Sequence, residues 1–376
     1  MNFYSLLIIV FLGTTASRLL RVGSAFSTLS QGWSFLALLA ATFALGRILT
    51  SFLGGELSKK FGAKITSLGL FTLGWVGIGY YLLPSTLYLP LRIVHGFSAG
   101  LTWPSLQAIT MSKVGVEKRG RGSSLYFLAS NAGWFFAFAL GGAFPKGTLL
   151  PSSIALLILS AIMLFEKGKA KKEKMGRKDK RRTFVPPLTA LILSGIALGF
   201  MTLLVNTEVA IAIFGKEFGK LYGGIILALA ALVGSAVSYF LNKKLIDIME
   251  SHLSILLPGL STSLSSLLMP LGGGLSVLGL FTTKTLVAWW RSSLLGLART
   301  GDVGRRVGTF NASADGGRFL GSLITALGPW TLPILSLSSL GLSVASWLLS
   351  LRSKSGGALR NEEASLQGES GVSKLP

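Results

Sequence analysis

Apolar segments of about 20 residues recur along almost the whole chain, and they restrict the fold more than any other feature. A segment of this length crosses the hydrocarbon core of a bilayer as a helix. Only 13% of the residues are charged, whereas soluble domains carry about 25%. A transmembrane β-barrel needs ~10-residue alternating segments, but these runs are continuous and rich in Leu, Ala and Gly. The sequence therefore predicts an all-α membrane protein.

The apolar runs predict twelve transmembrane helices in two sets of six. The first set covers residues 3–24, 31–53, 64–82, 88–112, 122–144 and 149–165. The second set covers residues 186–212, 220–242, 252–270, 274–298, 307–328 and 331–351. The domain organisation follows directly: a six-helix bundle at 1–165, a basic cytoplasmic linker at 166–185, a second bundle at 186–351 and a disordered cytoplasmic tail at 352–376.

Short motifs at matching places favour pseudo-symmetry between the two bundles. Residues 103–105 (WPS) in the fourth span precede a basic loop that ends at Arg121. Residues 290–292 (WRS) in the tenth span precede a loop that ends at Arg305. Internal repeats of this kind are typical of secondary transporters, whose binding site lies where the repeats meet.

Most Lys and Arg residues fall in the loops that share one side of the predicted topology. The opposite loops hold only Lys146, Lys216 and Lys220. The positive-inside rule then predicts that both termini are cytoplasmic in a multi-pass protein of the cell membrane. The linker, with ten cations between Lys167 and Arg182, is expected to contact anionic lipid headgroups.

Several function classes are excluded by what the sequence lacks. It has no Cys and two His residues, so neither a disulfide nor a His-based metal cluster is expected. No GxxxxGK[ST], GxSxG or HExxH motif occurs, which argues against ATP-driven transport and against an enzyme. Because the Lys and Arg residues behind the net charge of +22 are sorted by topology, we expect no nucleic-acid partner. We also expect no cofactor and a monomer.

Two local motifs resemble those of the major facilitator superfamily. Residues 55–64 (GELSKKFGAK) between spans two and three resemble that family's loop motif G-x-L-a-D-r-x-G-r-k, with Lys59 where the family usually has Asp. Residues 92–100 (RIVHGFSAG) in span four resemble R-x-x-q-G-x-g-a-a. The glycines permit a tight turn and the cations hold the loop in the cytoplasm. The loop-motif residues are Gly55, Lys59, Lys60, Gly62 and Lys64.

Charged residues inside the predicted spans are the main functional candidates, because a cation at mid-membrane costs roughly 2.5–3.5 kcal/mol on insertion scales. The seven cations are Arg18, Arg21, Arg47, Arg92, Lys284, Arg291 and Arg318. Only two acids accompany them, Glu208 and Asp315.

Spacing along the predicted helices groups some of these residues. Lys284 and Arg291 are seven residues apart and share one face of span ten. Lys284 lies roughly 15 Å from the outer end of that span, close to mid-membrane. Asn311, Asp315 and Arg318 form one polar stripe on span eleven.

The resemblance implies that helices one, four, seven and ten line a central cavity. The candidate substrate-binding residues are Arg18, Arg92, Trp103, Lys284 and Arg291. The candidate coupling or gating residues are Arg47, Glu208, Asn311, Asp315 and Arg318. Glu208 is also a candidate proton carrier.

Structural roles are the alternative for many of these residues. Asp315 and Arg318 can pair with each other, Arg47 can brace against a neighbouring acid, and Arg21 can snorkel to headgroups at the outer surface. Packing roles are the alternative for a further set, namely His95, Trp103, Trp289 and Trp290.

An enclosed excess of cations over acids predicts an anionic ligand, because Arg presents a bidentate fork to carboxylate or phosphate. We therefore expect a secondary transporter that moves a small organic anion by alternating access, with a proton or ion gradient as its driving force. The alternatives are a drug or toxic-compound efflux antiporter of the same fold and a non-transporting receptor or scaffold.

Overall fold

The computed structural model describes residues 1–113, 119–166, 187–245, 253–298 and 303–370. These residues form α-helices joined by short turns and contain no β-strand. The helices are α1 Phe3–Ser27, α2 Trp33–Phe61, α3 Ala63–Leu82, α4 Tyr88–Ser112, α5 Arg119–Ala143, α6 Leu149–Leu164, α7 Leu188–Asn206, α8 Glu208–Leu245, α9 Leu253–Ser266, α10 Gly273–Ala298, α11 Val303–Thr325 and α12 Leu332–Ser370.

The connection between α2 and α3 is shorter than the loop expected at residues 55–64. Helix α2 continues to Phe61, and Gly62 alone separates the two helices with a φ of 62°. A positive φ is accessible to glycine at little steric cost, so a single residue reverses the chain. Lys60 and Lys64 are exposed at this turn. The surroundings of Gly55 and of the Lys59 side chain lie outside what the structure describes.

The end of the last helix differs from the predicted span. Helix α12 runs to Ser370, where a disordered tail is expected from residue 352. No proline, the strongest helix breaker, interrupts residues 352–370. The predicted linker at 166–185 falls almost entirely outside the described residues.

The predicted seventh span, 186–212, is broken at Thr207, which corrects the expected boundary. Helix α7 ends at Asn206, and Thr207 has an extended conformation with φ −135° and ψ −174°. The Thr207 hydroxyl accepts a hydrogen bond from the Val209 amide at 3.2 Å. Helix α8 then begins at Glu208 and bends at Gly219, where φ is 78°. The break places Glu208 in the first turn of a helix, where the macrodipole favours an acid.

Seven helical stretches in the described part of the chain are long and apolar enough to cross a membrane. They are Phe3–Ser27, Trp33–Gly54, Ala63–Leu82, Leu125–Ala143, Leu188–Leu241, Leu253–Leu271 and Pro329–Arg352. The stretch Leu188–Leu241 joins α7 and α8 across the break. Helix α6 is apolar but shorter, and α4, α10 and α11 are less apolar because they carry more polar residues. The count of twelve spans in two bundles stays a prediction.

Each half of the chain packs mainly on itself. Helix α2 packs on α4, α3 on α4 and α6, and α1 on α5 and α6. In the second half α7 packs on α11 and α12, and α10 on α8 and α9. The halves meet chiefly along two helix pairs, α2 with α11 and α5 with α8. A central space therefore remains between the two halves, with one of these helix pairs on either side of it.

Small residues set the closest helix contacts. The α carbon of Gly96 in α4 faces the Phe43 carbonyl group in α2 so closely that any Cβ would overlap the oxygen. Close approach of this kind is typical of small-xxx-small patterns in membranes, and Gly100 lies four residues further along the same face. Across the halves, a Cβ on Gly142 of α5 would lie 2.9 Å from the Gly224 α carbon of α8.

Replacing Gly96 should therefore destabilise the fold. We expect Gly96→Val to lower stability by about 1–3 kcal/mol, because overpacking forces the α2 and α4 backbones apart. Thermal unfolding of the purified protein in detergent measures the effect. Gly341→Ala is the matched control, since Gly341 is exposed and a Cβ there meets no neighbouring atom. Equal unfolding temperatures for both variants would contradict the packing described here.

Candidate functional site

A cavity of about 100 Å³ lies between the two halves. Its lining comes from α1, α2, α4 and α5 of the first half and from α7, α10 and α11 of the second. The lining residues are Thr14, Ser17, Arg18, Arg21, Phe43, Arg47, His95, Trp103, Pro104, Gln107, Tyr126, Phe127, Ser130, Trp134, Thr202, Asn206, Arg291, Asn311 and Arg318. Cationic and aromatic side chains therefore dominate it, and none of the described residues that line it carries a carboxylate.

A smaller cavity of about 30 Å³ adjoins the first. The two share the lining residues Phe127, Trp134, Thr202, Asn206 and Arg291. Lys284 lines only the smaller cavity, whereas Arg18 lines only the larger one.

Glu208 is the centre of an ion cluster that joins the two halves beside the larger cavity. Arg21 of α1 donates through Nε to Glu208 Oε1 at 2.7 Å and through Nη2 to Oε2 at 2.6 Å. Arg92 of α4 lies 3.2 Å from the same carboxylate and donates to the Arg21 carbonyl oxygen at 2.7 Å. A bidentate guanidinium–carboxylate pair is the strong form of this contact. Glu208 and Arg92 lie behind Arg21 and do not line either cavity.

The expectation that Arg21 snorkels to the outer surface is wrong. Its side chain is buried and held by Glu208. The break at Thr207 turns the Glu208 carboxylate toward α1. The exposed side chains of α1 are apolar ones such as Tyr4 and Ile8. A signal was available in the sequence, because Arg21 is three residues from Arg18 and so shares its helix face.

Asp315 is the centre of a second cluster between the halves. Arg318 donates to Asp315 Oδ1 at 2.6 Å, which confirms the predicted pairing within α11. Arg47 of α2 forms an ion pair with Asp315 Oδ2 at 3.3 Å, so the predicted brace to an acid is also confirmed. Ser51 of α2 donates to the same oxygen at 2.9 Å. Both intramembrane acids thus belong to the second half, and each binds arginine from the first.

Three of the cations have no carboxylate within ion-pair distance among the described residues; Lys284 is buried, and Arg18 and Arg291 are half-buried. Arg18 donates to the Ser130 carbonyl oxygen and to Ser130 Oγ, and its guanidinium lies 4.6 Å from the Trp134 ring centroid. Lys284 donates to the Val205 carbonyl oxygen at 2.9 Å and to Asn206 Oδ1.

Arg291 is the least constrained of the three. Its guanidinium lies 5.7 Å from the Phe127 ring centroid, and its side chain stays half-buried on the lining of both cavities. Carbonyl groups and aromatic rings therefore hold these three cations in place without neutralising their charge.

The other predicted residues divide between lining and packing. Trp103 and Asn311 line the larger cavity. His95 lines it too, with Nε2 3.5 Å from Ser17 Oγ and Nδ1 3.4 Å from the Tyr80 hydroxyl. Trp289 and Trp290 are buried and line neither cavity, as expected of packing residues.

Sequence reasoning missed the contribution of α5. Tyr126, Ser130 and Trp134 are four residues apart, so they form one face of that helix, and all three line the larger cavity. This regular spacing is the signal that predicts the face. Asn206 was missed because its position depends on the break at Thr207, which apolar periodicity does not reveal.

Comparison with protein families agrees with this geometry. The Major Facilitator Superfamily model matches residues 4–322. The chain belongs to the Major Facilitator Superfamily. This member is therefore a multi-pass membrane transporter of small molecules and not an enzyme. No individually curated protein matches the chain.

Removing the carboxylate charge of Glu208 should destabilise this transporter. We expect Glu208→Gln to cost about 3–5 kcal/mol, since it leaves Arg21 and Arg92 buried without a counter-charge. Thermal unfolding in detergent measures the effect. Glu217→Gln removes an exposed acid on the same helix and should change the unfolding temperature far less. A Glu208→Gln protein as stable as the Glu217→Gln protein would contradict the role of the cluster.

Proposed function

We propose that this transporter carries a small organic anion, a carboxylate or a phosphate ester. The observation that carries the proposal is the set of three cavity cations, Arg18, Lys284 and Arg291, that lack a carboxylate partner in the described part of the chain. An uncompensated buried cation is costly in a low-dielectric interior. A bound anion supplies the missing counter-charge.

The side chains around these cations also suit an organic anion. Guanidinium groups bind carboxylate and phosphate in a bidentate manner. Phe127 and Trp134 offer apolar surface beside them, and Thr202 and Asn206 offer hydrogen-bonding groups. A few polar groups on an otherwise aromatic lining are typical of sites for small molecules.

We further propose that a proton gradient drives transport through Glu208 or Asp315. Each carboxylate joins arginines of the first half to the second half. Protonation would remove the negative charge that holds each cluster together. The clusters would then open more easily, which links proton binding to movement of the halves.

The finer topology is part of the same proposal. Two six-helix bundles, at residues 1–165 and 186–351, move against each other in the plasma membrane with both termini in the cytoplasm. The distribution of Lys and Arg supports this orientation. We also propose that the monomer is the working unit.

Efflux of amphipathic toxic compounds is the second candidate function. The aromatic side chains of Phe43, Trp103, Tyr126 and Trp134 in the lining favour it. Cationic drugs would meet the repulsion of the unpaired cations, so the compounds would have to be neutral or anionic.

Neutralising Arg291 should impair anion transport. We expect Arg291→Gln to reduce uptake of an organic anion into proteoliposomes about tenfold or more, because a hydrogen bond to a charged group is worth about 1.5–3 kcal/mol. Arg291→Lys keeps the charge and should retain more activity. Lys216→Gln, which removes an exposed cation, is the control and should transport normally. Uptake at the wild-type rate by Arg291→Gln would contradict the proposed anion transport.

A further inference from the structure

The three unpaired cations are divided between two adjoining cavities. Arg18 and Arg291 line the larger cavity, and Lys284 and Arg291 line the smaller one. Each cavity therefore has two cations without a carboxylate partner among the described residues, and Arg291 is common to both. A volume of about 30 Å³ in the smaller cavity is small enough to suit one acidic group without a bulky substituent.

The two ends of this pair of cavities are close together. The Arg18 guanidinium lies 4.6 Å from the Trp134 ring centroid and the Lys284 ammonium lies 5.3 Å from the same point. The two cations are therefore no further apart than the sum of these distances. Between them the shared lining is Phe127, Trp134, Thr202 and Asn206 together with Arg291. An apolar chain can cross this aromatic surface.

Charge balance decides how many acidic groups the ligand needs. One negative charge would leave two of the three cations uncompensated in a buried site, which is costly. Two negative charges leave one, and that one can keep its carbonyl and aromatic contacts.

From these observations we infer that the transported solute is a dianion with two acidic groups on a short carbon chain. One acidic group binds between Arg18 and Arg291 in the larger cavity, and the other binds between Lys284 and Arg291 in the smaller one. The inference rests on the proposed function, since it specifies the anion that the same site takes. Arg18 belongs to α1 and Lys284 to α10, so a ligand of this kind also links the two halves.

Flux measurements on the full-length protein in proteoliposomes test the inference. Succinate, glutarate and adipate are compared with monocarboxylates of the same chain length, and glycerol phosphate represents the phosphate esters. Protein-free vesicles correct for passive leak of the monocarboxylic acids. We expect at least one dianion to be transported about tenfold or more faster than its matched monoanion, given the strength of charged hydrogen bonds.

Variants of Lys284 then locate the second acidic group. Lys284→Gln should bring the ratio of dicarboxylate to monocarboxylate flux down toward one, while Lys284→Arg should keep it high. The shift in unfolding temperature that each dicarboxylate or monocarboxylate causes in detergent gives the same comparison for binding, and it requires only a folded protein. Lys220→Gln, an exposed position, should leave the ratio unchanged.

The outcomes separate this inference from the proposed function. Monoanions moved as fast as dianions by the wild-type protein would overturn the inference and leave anion transport intact. An unchanged ratio in Lys284→Gln would overturn the assignment of the second group to the smaller cavity. No flux and no thermal shift with any of these anions would overturn both proposals.

Discussion

The imbalance between cations and acids inside the helical core is the constraint on which the site depends. In the part of the chain that the structure describes, seven basic side chains lie buried or half-buried among the helices with two buried carboxylates. In such an interior an unpaired charge is far more costly than in water. Each carboxylate is shared by two arginines, which uses up the acids and leaves Arg18, Lys284 and Arg291 to carbonyl groups and aromatic rings. These three cations line the two cavities, so a solute that enters them meets positive charge without a carboxylate partner among the described residues.

In the proposed function the same ion clusters connect the site to movement of the halves. The Glu208 cluster lies between the cavity and the α1–α2 connection, because Arg21 lines the cavity while Arg92 behind it donates to Ser24, one turn further along α1. Helices α2 and α11 touch at one end, through Trp33 with the Thr325 carbonyl oxygen, and nearer their middles, through Ser51 with Asp315. A transporter that alternates between two openings must break some of these contacts in turn, and the ones made by ionised carboxylates are those that a proton or a bound anion can weaken.

The sequence predicts much of this architecture because periodicity and length record burial in lipid directly. Spacing along a helix predicts the positions of α1 to α6, the pairing of Asp315 with Arg318, and the shared face of Lys284 and Arg291. What spacing does not reveal is contact between distant helices. The partnership of Arg21 with Glu208 depends on the break at Thr207, and the cavity face of α5 becomes functional only because α10 lies opposite it. Those features depend on tertiary packing, which the residue pattern of a single sequence does not reveal.

The absence of cysteine allows the central claim, an uncompensated positive field in the cavity, to be measured directly. Ala288 lines the smaller cavity and stands between Lys284 and Arg291 on α10. Purified Ala288→Cys protein would be treated with thiol reagents that share one reactive group and differ in charge, with the neutral reagent correcting for access. The account predicts faster modification by the anionic reagent than by the cationic one, with the difference shrinking at high salt and in Lys284→Gln. Equal rates, or faster modification by the cationic reagent, would contradict it.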